Sequence, residues 1–404
     1  MTARNAAVEL LMQIEAEKSF VSLALKQKLS GLLQDEREKA LATELIYGSI
    51  RYKKQLDFVR DLYSKIKPSK LSPAVIQIIR ISVYQILHLE KVPESAVCNE
   101  AVKLAKKYEN QGAANFVNGL LRTVCKQKGN ISYPDDEIAR LGITESFPKS
   151  ILDLWIEDYG YDKAKELVKW SNIPKKPFYR INKLKAPENY VKKSTLGNPE
   201  SESDFSDGFV TVQDKGSMLA VETLAPNKGQ KVLDLCAAPG GKSCYMAEFM
   251  QNTGEIIACD IYPHRLELIR KTAERLGVTN IVLKENDGSV LRKEWASAFD
   301  CVLADVPCSG LGVISGKPDI KWRKQEYKSL CALQLEILKN AMEYVKVGGE
   351  LVYSTCTVHK AENIDIVNRA MSEKQGFEIV GEPVQLFPNE EYDGFFICKM
   401  KRCN

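Results

Sequence analysis

The stretch Val232-Leu-Asp-Leu-Cys-Ala-Ala-Pro-Gly-Gly-Lys242 constrains the fold of this chain more than any other. Val232, Leu233 and Leu235 form the short apolar run that a strand covered on both faces requires. Pro239, Gly240 and Gly241 then stop the strand and permit close backbone approach, and a helix follows at Lys242. Open α/β sheets hold their ligands where a strand passes through a glycine turn into a helix N-terminus, at the carboxyl edge of the sheet. The motif therefore predicts a ligand-gripping turn.

Elimination narrows the ligand. A dinucleotide pyrophosphate calls for G-x-G-x-x-G, and only Gly240 and Gly241 are present. The triphosphate loop fails as well, because Gly240-Gly-Lys-Ser243 lacks its earlier glycine. Glu255-Ile-Ile-Ala-Cys-Asp260 reads as a second strand ending in a carboxylate. It lies about 20 residues past the glycines, where a Rossmann-like site grips ribose hydroxyls. A ribose with little phosphate points to S-adenosylmethionine and a class I methyltransferase. Cys236, Ala237, Ala238, Pro239, Gly240, Gly241 and Lys242 are then the cofactor turn, with Asp260 on the ribose, Asp287 on the adenine side and Asp305 beside them.

A chain of 404 residues suggests two or three domains, and 44% hydrophobic with 27% charged residues is the balance of a soluble globular protein. The 11 cysteines are scattered without a C-x-x-C pair and there are three histidines, so neither a metal site nor a disulfide framework is expected. Reduced thiols in cytoplasm fit this usage, and no apolar run approaches membrane-spanning length. The net charge of +4 is unevenly placed. Residues 1–130 carry 21 Lys and Arg against 13 Asp and Glu, whereas 131–230 carry 14 against 16 and 231–404 carry 22 against 24. A basic module on a near-neutral one suggests a polyanionic partner, although a solvated basic face reads the same way.

Three segments are expected. Residues 1–130 read as all helix: apolar residues recur at helical spacing through Ala6–Ile14 and Phe20–Leu33, then along one long helix from Asp35 through Phe58, with Gly48 a close contact or a break. Further helices run over Pro73–Leu89, Ser95–Tyr108 and Ala113–Cys125. Residues 131–220 are mixed, a small α/β module with helices at 135–141, 148–159 and 162–170 and an alternating strand over Pro177–Leu184. Within Lys175–Lys185 five basic residues interleave with two aromatics, which suits phosphate contact and base stacking or, equally, a lysine-blunted sheet edge. Lys192–Asp207 reads as an exposed loop. Residues 221–404 alternate strand and helix as a parallel sheet does, with strands at 255–260, 281–283, 299–305 and 349–355. Two of them deliver Cys308 and Cys356 just past their ends, near the inferred methyl donor.

Leu45-Ile-Tyr-Gly-Ser-Ile-Arg51, Gln55-Leu-Asp57 and Asn115-Phe-Val-Asn-Gly-Leu-Leu-Arg122 resemble the NusB-like helical RNA-binding domain, with Arg51 and Arg122 expected on the surface. Leu233-Asp-Leu-Cys-Ala-Ala-Pro-Gly-Gly-Lys242, Asp305-Val-Pro-Cys-Ser-Gly310 and Tyr353-Ser-Thr-Cys-Thr357 resemble the three signature motifs of RNA cytosine-5 methyltransferases. With Lys317-Pro-Asp-Ile-Lys-Trp322 and Asp393-Gly-Phe-Phe396, the whole chain resembles the RsmB (Sun/Fmu) type, which methylates a cytosine of bacterial small-subunit (16S) rRNA. That family has two glutamates before the asparagine after its last motif; here Ala361 precedes Glu362-Asn363. The resemblance implies a multidomain chain: an all-α NusB-like domain, a small α/β module and a C-terminal Rossmann-like class I methyltransferase. It also implies S-adenosylmethionine as cofactor, rRNA as partner and no metal or membrane, and a monomer is expected.

The resemblance assigns Cys356 as nucleophile, Cys308 to product release and Asp305 to proton supply. Carbon 5 of cytosine is a poor nucleophile, so a thiolate must first add to carbon 6, which is why cysteines are wanted. Cys236, Cys244, Cys259 and Cys301 are read as inert buried thiols. An amino-group methyltransferase would want Asn/Asp-Pro-Pro-Tyr/Phe where Asp305-Val-Pro-Cys308 stands. The alternatives are a cytosine-5 methyltransferase of another RNA and a non-catalytic RNA-binding or assembly factor, and intact Asp260, Asp305, Cys308 and Cys356 argue against the second.

Overall fold

The computed structural model describes residues 1–17, 21–190 and 203–404. Most of the expected loop Lys192–Asp207 lies outside the described residues, and its end forms a short helix, α11 (Ser203–Ser206). The chain forms two compact units, Met1–Asn172 with Gly316–Arg323, and Ile173–Ser315 with Lys324–Asn404. Residues 131–172 thus lie in the first unit and 173–220 in the second.

The first unit is helical among its described residues: α1 (Ala3–Glu17), α2 (Val21–Leu32), α3 (Glu36–Arg51), α4 (Lys53–Tyr63), α5 (Pro73–His88), α6 (Glu94–Tyr108), α7 (Gln111–Gln127), α8 (Glu137–Thr144), α9 (Lys149–Tyr159) and α10 (Tyr161–Ser171). Caps account for several starts. The Asp35 carboxylate accepts from the Arg37 and Glu38 amides at 2.7 and 3.1 Å, and Ser72 caps α5 ahead of Pro73. Helix α5 is buried on nearly every face, through Val75, Ile78, Ile79, Ile81, Val83 and Ile86, which makes it the central helix of this core.

The single long helix expected from Asp35 through Phe58 is in fact two, broken at Tyr52. Apolar periodicity runs unbroken across the joint, so pattern alone could not reveal it. Gly48 is not the break. A Cβ there would stand 2.0 Å from Cζ of Tyr84, so the glycine admits that ring. Tyr52 in turn stacks on His88 at 4.0 Å between centroids.

Arg51 is a second correction. It is 5% exposed rather than at the surface, whereas Arg122 is exposed as expected. The reason is the run Lys317–Trp322, which belongs to the helical unit. Lys321 Nζ donates to the Arg51 carbonyl at 2.6 Å and to Asn172 Oδ1 at 3.1 Å, and Trp322 Nε1 donates to the Ile50 carbonyl at 2.7 Å. Burial holds the Lys321 ammonium well below its ordinary range.

His88 is lowered to about 4 by burial, and its Nε2 lies 2.8 Å from Gln55 Oε1. A histidine held neutral contributes stability that is present above its unfolded value near 6.5 and lost as pH falls toward 4. The helical unit should therefore lose up to about 3 kcal/mol across that window. Hydrogen exchange of the 73–88 peptide should read the loss, and His88→Phe should flatten it.

The second unit begins with a two-stranded antiparallel sheet, β1 (Tyr179–Ile181) and β2 (Val210–Val212). The strand expected over Pro177–Leu184 shrinks to three residues, because β2 offers only three partners. Within the basic run Arg180 is buried. Its guanidinium pairs with Glu248, donates from Nε to Gln213 Oε1 at 2.7 Å and lies over the Tyr245 ring. Lys176, Phe178, Lys183 and Lys185 are exposed.

The main sheet contains β3 (Lys231–Asp234), β4 (Glu255–Asp260), β5 (Ile281–Glu285), β6 (Phe299–Asp305), β7 (Val345–Thr355), β8 (Phe377–Ile379), β9 (Val384–Leu386) and β10 (Phe395–Arg402). Its order is β5-β4-β3-β6-β7-β10-β8, with β9 also on β10. Strands β3 to β7 are parallel and β10 is antiparallel. Helices α12 (Lys215–Leu224), α13 (Gly241–Met250) and α14 (Pro263–Leu276) cover one face, while α15 (Tyr327–Tyr344) and α16 (Ile364–Glu373) cover the other. Alternate residues divide between the faces: Cys301 and Leu303 pack with α12 and α13, Val302 and Ala304 with α15. The chain steps outward from β3 to β5 and then returns to β6 on the opposite side of β3. The crevice beyond the carboxyl ends of β3 and β6 is therefore the switch point where such sheets hold ligands. No helix among the described residues is long and apolar enough to cross a membrane.

Candidate active site

The turn after β3 is built as its residue types require. Gly240 has φ +101°, and a Cβ there would press to 3.1 Å on Ile269, so only glycine serves. The Ala237 amide donates to the Cys259 carbonyl at 2.7 Å, tying the turn to β4. Asp234, Cys236, Ala237, Ala238, Pro239, Gly241, Lys242 and Asp305 line a cavity of about 210 Å³. Val212, Gln213, Asp214 and Ser217 complete it, and no motif pointed to them. They come from the β2–α12 junction, upstream of β3.

Two buried polar atoms on that cavity's wall have no partner: Asp234 Oδ1 and Gln213 Nε2. Burial pushes the Asp234 carboxyl up to about 7, even though Ser243 Oγ donates to its Oδ2 at 2.6 Å. An acceptor and a donor left open on a cavity wall fit a ligand with complementary polar ends. Burial, with Asp234 and Asp305 nearby, pushes the Cys236 thiol well above its ordinary range. Burial also holds Cys244, Cys259 and Cys301 near about 12. Thiols raised in this way are poor nucleophiles at neutral pH.

Asp260 stands at the end of β4, 4% exposed, accepting from the Tyr262 amide at 3.2 Å and from Arg265 Nη1 at 3.2 Å. Asp287 follows β5, and its Oδ1 accepts from the Ser289 amide and hydroxyl at 2.9 and 2.6 Å. Both carboxylates sit at the carboxyl edge of neighbouring strands, as the parallel register dictates.

Strands β6 and β7 pair in parallel with Asp305 opposite Ser354. That register brings the loops after them together, and Cys308 Sγ lies 3.2 Å from Cys356 Sγ. The contact with Cys356, then burial and the charge of Glu362, push the Cys308 thiol well above its ordinary range. Asp305 accepts from Ser354 Oγ at 2.8 Å and from Lys242 Nζ at 2.6 Å. Burial would lower the Lys242 ammonium, but Asp305 outweighs it and the net shift is upward. Gly394 explains the Asp393-Gly-Phe-Phe396 run: its amide donates to the Gly312 carbonyl at 2.8 Å, and a Cβ on Gly312 would lie 2.1 Å from the Gly394 oxygen. Gly312 in turn donates to the Cys356 carbonyl at 3.0 Å. Glu362, fully buried beside Cys308, was singled out in sequence only as the neighbour of a departure. Among the described residues no three His, Cys, Asp or Glu side chains group to hold a metal ion.

Comparison with known proteins agrees with both units. The family model of the 16S rRNA methyltransferases RsmB/F matches residues 221–401, and that of the NusB family matches residues 1–126. The probable ribosomal RNA small subunit methyltransferase B of Bacillus subtilis is 34% identical over 99% of this chain and 99% of its own length. A protein of the same description from Synechocystis is 30% identical over all of both chains. A solved methyltransferase homologue from Pyrococcus horikoshii, 26% identical, superposes over 67% of this chain and 100% of its own with a TM-score of 0.58. With a NusB-type helical unit, a switch-point cavity and paired cysteines on one chain, and a 34% identical relative along its full length, this protein belongs to the RsmB/F family of methyltransferases.

Proposed function

We propose that this protein transfers a methyl group from S-adenosylmethionine to carbon 5 of a cytosine in small-subunit rRNA, with Cys356 adding to carbon 6. The 3.2 Å approach of Cys308 and Cys356, three residues along from an Asp305 that lines the cavity, carries the reading. One thiol suffices to add to a base. A second within reach of it supports a reaction that must also be undone. The small-subunit rRNA substrate rests on what the relatives are described as modifying.

The cofactor supplies an electrophilic methyl group when bound. The open Asp234 Oδ1 and Gln213 Nε2 suit its amino-acid end, and Asp260 and Asp287 its ribose and adenine. The contact with Cys356, burial and Glu362 push the Cys308 thiol above its ordinary range, and Cys356 is the thiol that attacks, its sulfur bonding to carbon 6 as the thiolate. Asp305 delivers to N3 the proton that the Lys242 ammonium bonded to it supplies, as carbon 5 becomes nucleophilic, and N3 returns that proton when the base is released. Once Cys356 is bonded to the base, its negative charge no longer opposes loss of the Cys308 proton, which passes to solvent and leaves the thiolate. Cys308 then removes the carbon 5 hydrogen, that electron pair restores the carbon 5–carbon 6 double bond, and Cys356 leaves as thiolate. A duplex buries both carbons in the stack, so the target lies in a loop or is flipped out. The basic excess of residues 1–130 and the exposed Arg122 support the helical unit as the part that holds the RNA backbone.

Bisulfite mapping of rRNA from cells with and without the gene tests the reading. One small-subunit cytosine should resist conversion only when the gene is present. Identical maps would overturn it.

A further inference from the structure

We infer that Glu362 and Asn363 are positioning residues that clamp the two cysteine loops together and so set the spacing of the thiols. The inference rests on the function proposed above and assigns roles that the motifs do not. Cys308 is flanked by Pro307 and Ser309, and both neighbours are held. The Ser309 amide donates to Glu362 Oε2 at 2.8 Å and its hydroxyl to Oε1 at 2.5 Å. Gln334 Nε2 bridges the Pro307 carbonyl and Glu362 Oε2, each at 2.9 Å. Cys356 is flanked by Thr355 and Thr357, and both are held by the next residue. Thr355 Oγ1 donates to Asn363 Oδ1 at 2.6 Å, and Asn363 Nδ2 donates to the Thr357 carbonyl at 3.1 Å. The Ser309 and Thr357 hydroxyls meet at 2.9 Å and join the two halves.

Position 362 also has an electrostatic consequence. It is fully buried, and the amide and hydroxyl groups bonded to its oxygens all act as donors, the pattern of a carboxylate. Tyr353 OH donates to its backbone carbonyl at 2.6 Å, which anchors the residue to β7. The titratable groups around the thiol pair are Glu362, Tyr353 of β7, Tyr327 and Cys331 of α15, and Lys242 with Asp305. After the contact with Cys356 and burial, the charge of Glu362 adds to the upward push on the Cys308 thiol. Ala361 contributes only its backbone here, accepting from Cys331 Sγ at 3.4 Å, so the departure at 361 leaves the clamp whole.

Two variants of the full chain test this, Glu362→Gln and Asn363→Ala, with cofactor affinity as the check that the sheet is intact. Both should lower kcat for methyl transfer by about 30-fold or more while the KM for S-adenosylmethionine stays within about threefold. Glu362→Gln removes a charge, so the pH midpoint of iodoacetamide alkylation at Cys308 and Cys356, read by mass spectrometry, should fall by about half a unit or more. Asn363→Ala removes none and should leave the midpoint in place. Unchanged kcat in both variants, or cofactor affinity falling in step with kcat, overturns the clamp. If Glu362→Gln does not fold, Asn363→Ala and Gln334→Met decide it by the same kcat and KM split. Alkylation needs no RNA, so a moved midpoint alongside unaltered rRNA maps would sink the cytosine assignment and leave the clamp standing.

Discussion

Cys308→Ala should trap protein on RNA, and Cys356→Ala should not. If Cys356 adds to carbon 6, replacing it removes the first bond, and methyl transfer should fall by at least about 1,000-fold with no covalent adduct. Cys308→Ala leaves attack and transfer possible but takes away the group 3.2 Å off that accepts the carbon 5 hydrogen. Elimination should slow by about 100-fold or more, and a cofactor-dependent slow band should build up on denaturing gels with labelled RNA. The reverse pattern would exchange the roles of the two thiols. An adduct from neither variant would remove Cys308 from the release step.

Asp260→Ala should cost S-adenosylmethionine binding about 30-fold or more, because a carboxylate bonded to hydroxyls contributes about 1.5–3 kcal/mol per bond. Titration calorimetry reads the loss directly. The residue also holds the Tyr262 amide and Arg265 at the end of β4, so the thermal midpoint must be compared alongside. A folded variant with unchanged affinity would take Asp260 out of the site.

Much of this site was legible because its parts are local. Residues 232–242 carry their own strand, turn and glycine geometry, and Gly240 at φ +101° needs no distant partner to explain it. Cys308 and Cys356 each follow a strand that reads as buried, and parallel strands put their ends on one edge. What could not be read was a matter of distance along the chain. Arg51 is buried because Lys321 and Trp322, some 270 residues later, bond to the carbonyls of Arg51 and Ile50. Arg180 reads as one more phosphate-seeking cation in a basic run until Glu248, Gln213 and Tyr245 enclose it. The break at Tyr52 has no signal in apolar spacing, since both helices turn the same stripe toward α5.

Sequence by itself determined the class of fold, the glycine turn after the first strand of the parallel sheet and the two candidate cysteines, because each is a short motif of particular residue types in fixed order. Tertiary structure alone decided that the Cys308 thiol is pushed above its ordinary range. That depends on a 3.2 Å contact between loops after two strands and on the buried carboxylate of Glu362 beside one of them. Charge and desolvation act through space over a few ångströms, and spacing along a chain does not report such distances.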